Sequence, residues 1–232
     1  MHTNSRLAAA LFVFGIVAPA RAADQASSVT LGLQPSYFTG DYGSGTTTKI
    51  TYVPLYAKYK TGNLSLKLTL PYLSVQSSGA LVSGGAVIDT GGGGAVTRKS
   101  GLGDVWAEGR YRFRGRGAAP DVSPYLKIKF GTASRADGLG TGKLDYEAGL
   151  GFEWVVGRTV FPVLDIGYRV VGSPPGLDLR NTVTYDAGVI YRAGDHDFLS
   201  GLYSGRQASR AGFADAADLL VAWNHETRPG TG

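Results

Sequence analysis

Charged side chains recur at every second position in several stretches of the chain, which places them on one face of each β-strand. In a sheet that closes into a barrel, such a charged face can line the enclosed interior. Charges of both signs then either line a hydrated pore that selects ions or pair with one another and fill the space, since narrow barrels fill with side chains. The sequence leaves both alternatives open. The candidate interior-lining residues are Lys58, Lys67, Asp104, Glu108, Arg110, Arg112, Lys127, Lys129, Asp145, Glu147, Glu153, Asp165, Arg169, Asp186 and Arg192.

The sequence gives little support for nucleophilic or metal-assisted catalysis. The only histidines after His2 are His196 and His225, and neither has a Ser and Asp partner at a recognisable spacing. Asp195, His196 and Asp197 are three possible metal ligands in a row, but adjacent side chains seldom converge on one ion, and a solvated turn explains them. We therefore expect no enzyme activity, no cofactor and no metal; a lipid hydrolase or acyltransferase is the weaker alternative.

The stretch 138–144 has a superficial similarity to a phosphate-binding loop. In that motif a glycine stands five residues before the Gly-Lys pair, and a Ser or Thr after the lysine binds Mg²⁺. Here Asp137 replaces the first glycine and Leu144 follows Lys143. Because the hydroxyl ligand is missing, a long loop is the simpler interpretation.

Residues 1–22 have the features of a secretory signal peptide. Arg6 precedes an apolar run from Leu7 to Val17, and Ala20-Arg21-Ala22 fits an A-x-A cleavage site. The run is too short for a spanning helix, which needs ~20 residues. Removal of the leader lowers the formal charge from +5 to +3, because 21 basic and 18 acidic residues remain. Such a modest charge does not indicate a nucleic-acid partner, and the absence of cysteine excludes disulfides and thiolate sites.

The remaining residues, 23–232, are predicted to form a single all-β domain. They are rich in Gly, Tyr and Thr, and charged residues make up 18% of the whole chain, a lower fraction than in typical soluble domains. No apolar run after the leader approaches the length of a spanning helix. Any membrane crossing must therefore be made by strands.

Alternating apolar and polar residues predict ten strands. In the clearest, Leu64, Leu66 and Leu68 share one face while polar residues take the other. A soluble strand can show the same alternation, but here it repeats along nearly the whole chain. The predicted strands are Val29–Tyr37, Lys49–Tyr59, Asn63–Val75, Asp104–Arg114, Val122–Phe130, Asp145–Glu153, Thr159–Val170, Asn181–Arg192, Phe198–Arg206 and Ala216–Asn224.

The connections between these strands alternate between short and long, which is typical of outer-membrane barrels with tight periplasmic turns and long extracellular loops. Aromatic residues on the apolar face fall near strand ends, where an interfacial girdle would lie. We therefore predict a transmembrane antiparallel up-and-down β-barrel, with a soluble β-sandwich binding module as the alternative. The Gly- and Ser-rich loop Gln76–Ser100 is expected to be mobile.

Several glycine-rich segments resemble the outer-membrane β-barrel family named for the MetA pathway of phenol degradation, whose members are also called transporters. The resemblance spans residues 29–225, close to the whole predicted domain. It is carried by Gly101-Leu102-Gly103-Asp104, Lys127-Ile128-Lys129-Phe130-Gly131-Thr132, Gly138-Leu139-Gly140-Thr141-Gly142, Val53-Pro54-Leu55 and Leu70-Pro71-Tyr72. Phe130 stands where the family favours proline. Similar proteins have about twelve strands, an even number as in other such barrels, and a terminal aromatic. This chain is thus expected either to be truncated or to form a barrel that closes with ten strands.

The resemblance implies a passive outer-membrane channel for small molecules, with aromatic or hydrophobic compounds as cargo. The expected partners are outer-membrane lipid and lipopolysaccharide, the barrel-assembly machinery and the cargo. The main residues expected to act on a passing molecule are Glu108, Arg110, Lys127, Lys129, Glu147 and Asp186. The alternative function is a structural or adhesive barrel with a blocked interior and working extracellular loops.

Overall fold

The computed structural model describes residues 14–18, 27–33, 35–41, 47–83, 86–89, 95–211 and 215–225. Regular structure within these ranges consists of β-strands, and no helix in them is long and apolar enough to span a membrane. The strands are β1 (Phe14–Ala18), β2 (Ser28–Leu33), β3 (Ser36–Asp41), β4 (Thr47–Thr61), β5 (Leu64–Ser77), β6 (Ala80–Ser83), β7 (Ala86–Asp89), β8 (Thr97–Leu102), β9 (Val105–Tyr111), β10 (Asp121–Phe130), β11 (Asp145–Glu153), β12 (Val160–Val170), β13 (Thr182–Arg192), β14 (Asp197–Arg206) and β15 (Ala216–His225).

One antiparallel sheet contains 13 of these strands, and each long strand pairs with the next along the chain. Two strands are interrupted: β2 and β3 pair with β4 in one register, and β8 and β9 follow each other along β5. Counting each interrupted strand once, the path from β2 to β15 has ten strands. The ten predicted strands are confirmed, with ends that differ by a few residues.

The described sheet curves into a half-barrel, and its first and last strands are not paired with each other. Among the described residues, β15 pairs with β14 alone, and β1 pairs with β2 alone. Strand β1 lies inside the predicted leader, and in the full-length chain it covers the outer edge of β2. Cleavage after Ala22, which stays a prediction, would remove β1 and expose that edge.

The connections are on the whole shorter at one end of the sheet than at the other, although 112–120 has nine residues and 42–46 has five, the reverse of the predicted order for that pair. At one end, here called the turn end, the connections are 62–63, 112–120, 154–159 and 193–196. At the other, the loop end, they are 42–46, 78–96, 131–144, 171–181 and 207–215. The loop Gln76–Ser100, expected to be mobile, contains regular structure in its described part. Strands β6 and β7 form a separate hairpin, and β8 continues the sheet because it finds hydrogen-bonding partners on β5.

Side chains that contact each other across several strands identify the concave face. The Arg110 guanidinium on β9 binds Asp165 on β12 at 2.7 Å, although β10 and β11 lie between them. A flat sheet would hold these two backbones about 14 Å apart, at ~4.8 Å per strand. The sheet is therefore curved toward this face, and strand parity places the apolar residues on the convex face.

The convex face is a broad apolar surface. Its leucines, valines and aromatic residues are exposed on every long strand, including Leu68 at 53%, Leu126 at 59% and Val221 at 66%. Trp154, one of the aromatic residues predicted for a girdle, is only partly exposed and stacks on Phe152 with ring centroids 6.0 Å apart. The other predicted girdle residues are exposed on this face: Tyr59, Tyr72, Phe113, Tyr168 and Tyr191. Water-soluble proteins rarely carry so extensive an exposed apolar surface.

Candidate functional site: the concave face

A row of charged residues crosses the concave face from strand to strand. Residues directly opposite on neighbouring strands share a face and lie close together. The register forms one such row from β4 to β12, composed of Lys58, Lys67, Glu108, Lys127, Glu147 and Arg169. After two lysines the signs alternate, so each later member has an opposite charge beside it.

A central network of ion pairs spans four strands, β9 to β12. Arg110 binds both carboxylate oxygens of Asp165, at 3.0 and 2.7 Å. The buried carboxylate of Glu147 accepts from Arg169 Nη2 at 2.6 Å and lies 3.4 Å from Lys127 Nζ. Bidentate and charge-assisted hydrogen bonds of this kind are the stronger ones in proteins. Because each of these ion pairs joins residues from different strands, the network stabilises the curvature of the sheet.

Tyr125 lies at the centre of this network. Its hydroxyl donates to Glu147 at 3.2 Å, and its ring lies under the Arg110 guanidinium at 4.6 Å and the Lys127 ammonium at 4.8 Å. The outer end of the Tyr125 side chain lies beside Gly149 and Gly167 on the next two strands, where an added Cβ atom would collide with the ring's Cζ atom and hydroxyl at Gly149 and with the hydroxyl at Gly167. The two glycines therefore create the space that the aromatic ring occupies.

We expect Gly149→Ala to destabilise the folded chain by about 1–3 kcal/mol, the usual cost of overpacking. The added methyl group would meet the Tyr125 ring and the Ile166 carbonyl oxygen. The matched control is Gly201→Ala, because nothing lies within 4 Å of a Cβ at that strand position. Urea unfolding in detergent micelles measures both variants, and equal stability of the two would contradict the packing assigned to Tyr125.

A second ion cluster lies at the loop end around Lys129, whose side chain is 0% exposed. Its ammonium lies 3.0 Å from Asp145 and 3.3 Å from Asp104, and donates to the Thr141 hydroxyl at 3.0 Å. The two carboxylates also accept backbone N–H bonds, Asp104 from Ala133 and Asp145 from Gly172, each at 3.0 Å. The Lys129 cluster thus joins three strands to the loops 131–144 and 171–181.

Apolar side chains close the concave face beside the Lys129 cluster. We call this group the loop-end cluster; its buried members are Ile50, Leu73, Val75, Val82, Ala133 and Leu139. Strands β4 and β5 supply three of them, and the connections 78–96 and 131–144 supply the others. The concave face therefore changes from charged in the middle to apolar at the loop end, where the loops fold inward over it.

The glycine-rich segments singled out in the sequence meet at this place. The Gly103 N–H donates to the Pro71 carbonyl at 2.8 Å, and Thr132 Oγ1 accepts from the Val105 N–H at 2.9 Å. A Cβ on Gly140 would come within 3.0 Å of Ala133 and Asp104. Glycine is needed at Gly103 and Gly140 because a side chain there would collide with the side chains of neighbouring strand and loop residues.

Polar contacts of its own side chains hold the connection 131–144 in place. The Ser134 hydroxyl donates to Asp137 at 2.7 Å, and Lys99 Nζ lies 3.4 Å from the same carboxylate. These two contacts, the hydroxyl first, lower the pKa of Asp137 below its ordinary value. Arg135 donates to the Pro175 carbonyl at 2.7 Å, which ties this connection to 171–181.

A cavity of about 340 Å³ lies on the concave face of β9 to β15, toward the turn end. Its charged lining comes from Arg110, Arg112, Glu153, Asp165 and Asp186. The apolar part of the lining includes Val163, Ile190, Leu202 and Leu220. This combination of apolar wall and few polar groups is typical of small-molecule sites.

Strand parity places the predicted interior residues on the concave face, but their environments differ. Most are ion-paired, including Arg112, which lies 3.4 Å from Glu153 and 3.6 Å from Asp121. Arg192 instead lies over Phe161 and Phe198. Those without an ion pair among the described residues are Lys58, Lys67, Asp186 and Arg192.

Loops and neighbouring side chains bury Lys129 and Glu147 in this conformation, so their expected contact with a passing molecule stays a prediction that requires the loops to move. The sequence also missed Tyr125 and Thr141, whose roles depend on long-range contacts. The only local signal for Tyr125 was an aromatic residue at a position of the inward parity. In the described ranges, no group of three or more His, Asp or Glu side chains could hold a metal ion.

No family model matches the sequence, and no curated protein matches it. Among solved structures, the chain is similar to the β domain of the Bordetella autotransporter BrkA. The two are 17% identical with a TM-score of 0.60, and the match covers 94% of this chain and 90% of that chain. The likeness shows the fold. It confirms the predicted class, an all-β antiparallel sheet of the β-barrel type.

Proposed function

We propose that this chain is a β-barrel of the Gram-negative outer membrane that passes small molecules through its interior. The observation that carries this proposal is the arrangement of the two faces: apolar residues cover the convex face, and charged, mostly ion-paired residues occupy the middle of the concave one. Lipid solvates an apolar face such as the convex one, whereas the charged concave face needs water or counter-charges. In this proposal the convex face contacts lipid and lipopolysaccharide, and the assembly machinery inserts the barrel.

A bilayer location requires that the two edge strands of the sheet be hydrogen-bonded. Hydrocarbon cannot hydrogen-bond an exposed strand edge, so the edges of β2 and β15 must be paired in the membrane, either with each other or with further strands. An even number of strands makes the first and last antiparallel, which permits direct pairing. The concave face then becomes an enclosed interior.

The interior is proposed to be open toward the turn end and closed at the loop end. The cavity of about 340 Å³ lies toward the turn end, while the loop-end cluster and the Lys129 cluster fill the opposite mouth. Passage therefore needs the connections 78–96 and 131–144 to move outward. The resemblance to the MetA-pathway family suggests small aromatic or hydrophobic compounds as the cargo.

A reversible disulfide across the loop-end cluster tests this proposal. The Val82 N–H donates to the Gly138 carbonyl at 3.0 Å, and the Val82 and Leu139 side chains pack in the same cluster. In the variant Val82→Cys, Leu139→Cys, oxidation should lock the loops, and reduction should release them. We expect the conductance in planar bilayers to fall severalfold on oxidation and to recover with reductant.

The unaltered chain is a matched control because it contains no cysteine. The two single-cysteine variants control for the substitutions themselves. Equal conductance of the oxidised and reduced forms would contradict gating by these loops. A silent bilayer in both forms would remove the transport proposal.

The second candidate function is a structural or adhesive barrel with a blocked interior. The loop-end cluster and the dense ion pairing of the central network favour it, because both are ways of filling a barrel. Persistent silence in bilayers, together with cell-surface binding lost on deletion of residues 78–96, would support this alternative.

A further inference from the structure

The cavity on the concave face has an apolar wall and a charged wall. The apolar wall comes from neighbouring strands, since Leu202 on β14 lies directly opposite Leu220 on β15, with Ile190 on β13 completing it. The charged wall comes mainly from β9, β11, β12 and β13. A molecule in this cavity would contact hydrocarbon on one side and ionic groups on the other.

Most charges of the cavity are compensated by each other. Asp165 receives two hydrogen bonds from Arg110, which also lies 3.4 Å from Glu108. Arg112 lies between Asp121 and Glu153. Both cations are thus paired, each with two carboxylates, and neither is left to attract an anion.

Asp186 differs from the other charged residues of the cavity. It lies in the middle of β13, between Asp165 on β12 and Ser204 on β14 in the strand register. Among the described residues it makes no ion pair, and its neighbour Asp165 is already engaged by Arg110. The cavity therefore carries one uncompensated negative charge beside an apolar wall.

We propose that this cavity binds small organic cations, namely primary or secondary amines with an aromatic or short aliphatic body. The ammonium group pairs with the Asp186 carboxylate, and the apolar body packs against Ile190, Leu202 and Leu220. This inference rests on the proposed function in taking the concave face as an enclosed interior, and it names the class of cargo. A neutral molecule gains the apolar contacts alone, and an anion is repelled by Asp186.

The experiment is calorimetric titration of the folded full-length chain in non-ionic detergent, with detergent alone as the blank. Three probes of similar size are compared at pH 7: 2-phenylethylamine, 2-phenylethanol and 3-phenylpropanoate. We expect the amine to bind about tenfold or more tightly than the alcohol, since a hydrogen bond to a charged group contributes this much. The acid should bind more weakly than either.

Asp186→Asn should remove the preference for the amine while leaving the affinity for the alcohol within about twofold. Asp195→Asn is the matched control, because it makes the same charge change in an exposed turn outside the cavity. Leu220→Ser should weaken the amine and the alcohol alike. Should Asp186→Asn fail to fold, the three probes on the unaltered chain decide the question by themselves.

Equal affinity for the amine and the alcohol, or an amine preference that survives Asp186→Asn, would overturn this site. Bilayer conductance is measured separately. A silent barrel that still binds the amine at Asp186 would support the site while removing transport. A conducting barrel without amine preference would overturn the site and leave transport standing.

Discussion

Replacing Lys129 with methionine is expected to lower the free energy of unfolding by about 3–5 kcal/mol, the cost of removing one partner from a buried ion pair. The ammonium is fully buried between Asp104 and Asp145, so its loss leaves two buried carboxylates without a cation. Their repulsion should also loosen the loops that the Lys129 cluster joins. Urea unfolding in lipid vesicles, followed by tryptophan fluorescence, measures the change.

Two further variants separate this electrostatic effect from a loss of packing. Lys129→Met combined with Asp104→Asn and Asp145→Asn removes the unpaired charges but keeps oxygens that can accept the Ala133 and Gly172 N–H bonds. We expect this triple variant to recover most of the lost stability. Lys99→Met breaks an ion pair whose two side chains are 52% and 44% exposed, and should change the stability little, because solvent screens exposed pairs. A Lys129→Met loss no larger than that of Lys99→Met would contradict the role assigned to the cluster.

Introducing arginine at Leu126, on the convex face, is expected to destabilise the membrane-inserted barrel by about 2–4 kcal/mol. Leu126 is 59% exposed and lies near the middle of β10, between Gly109 and Ala148 in the strand register. In the proposed membrane placement this position is at mid-depth, where a lipid-facing cation is most costly. In a soluble protein an exposed substitution of this kind usually changes stability by less than about 0.5 kcal/mol.

Val156→Arg is the depth control for this experiment. Val156 is 56% exposed but lies in the connection 154–159 at the turn end, where the cost should fall to about 0–1 kcal/mol. Unfolding in vesicles provides both values. If Leu126→Arg is as stable as Val156→Arg and the chain fractionates with soluble periplasmic proteins, the membrane assignment is wrong.

Local sequence features predicted the strands and their two faces with few errors. Successive strand side chains point to opposite faces, so the alternation from Leu64 to Leu70 indicates a face without knowledge of any distant residue. The alternation of short and long connections followed from the same strand limits. The hairpin of β6 and β7 was missed because its glycine-rich surroundings are typical of flexible chain.

The candidate site was predicted as a set of residues but not as an arrangement. Lys58 and Lys129 share the inward parity, yet Lys58 makes no ion pair among the described residues while Lys129 is buried between two carboxylates. The ion pairing differs because the strand register places Asp145 opposite Lys129 but Lys67 opposite Lys58. The burial of Lys129 arises from the connection 131–144, which folds back to bring Thr141 onto Lys129. No local pattern around either lysine contains that information.

The sequence by itself determined which side chains face inward and which face outward, because strand parity is set by the local backbone. Only the tertiary structure decided which of the inward charges meet, since Arg110 and Asp165 are joined by the curvature of four strands, across 55 residues of chain. It likewise decided that Asp186 is left beside an apolar wall. Curvature and loop closure depend on contacts between distant segments, and these form only when the whole sheet is assembled.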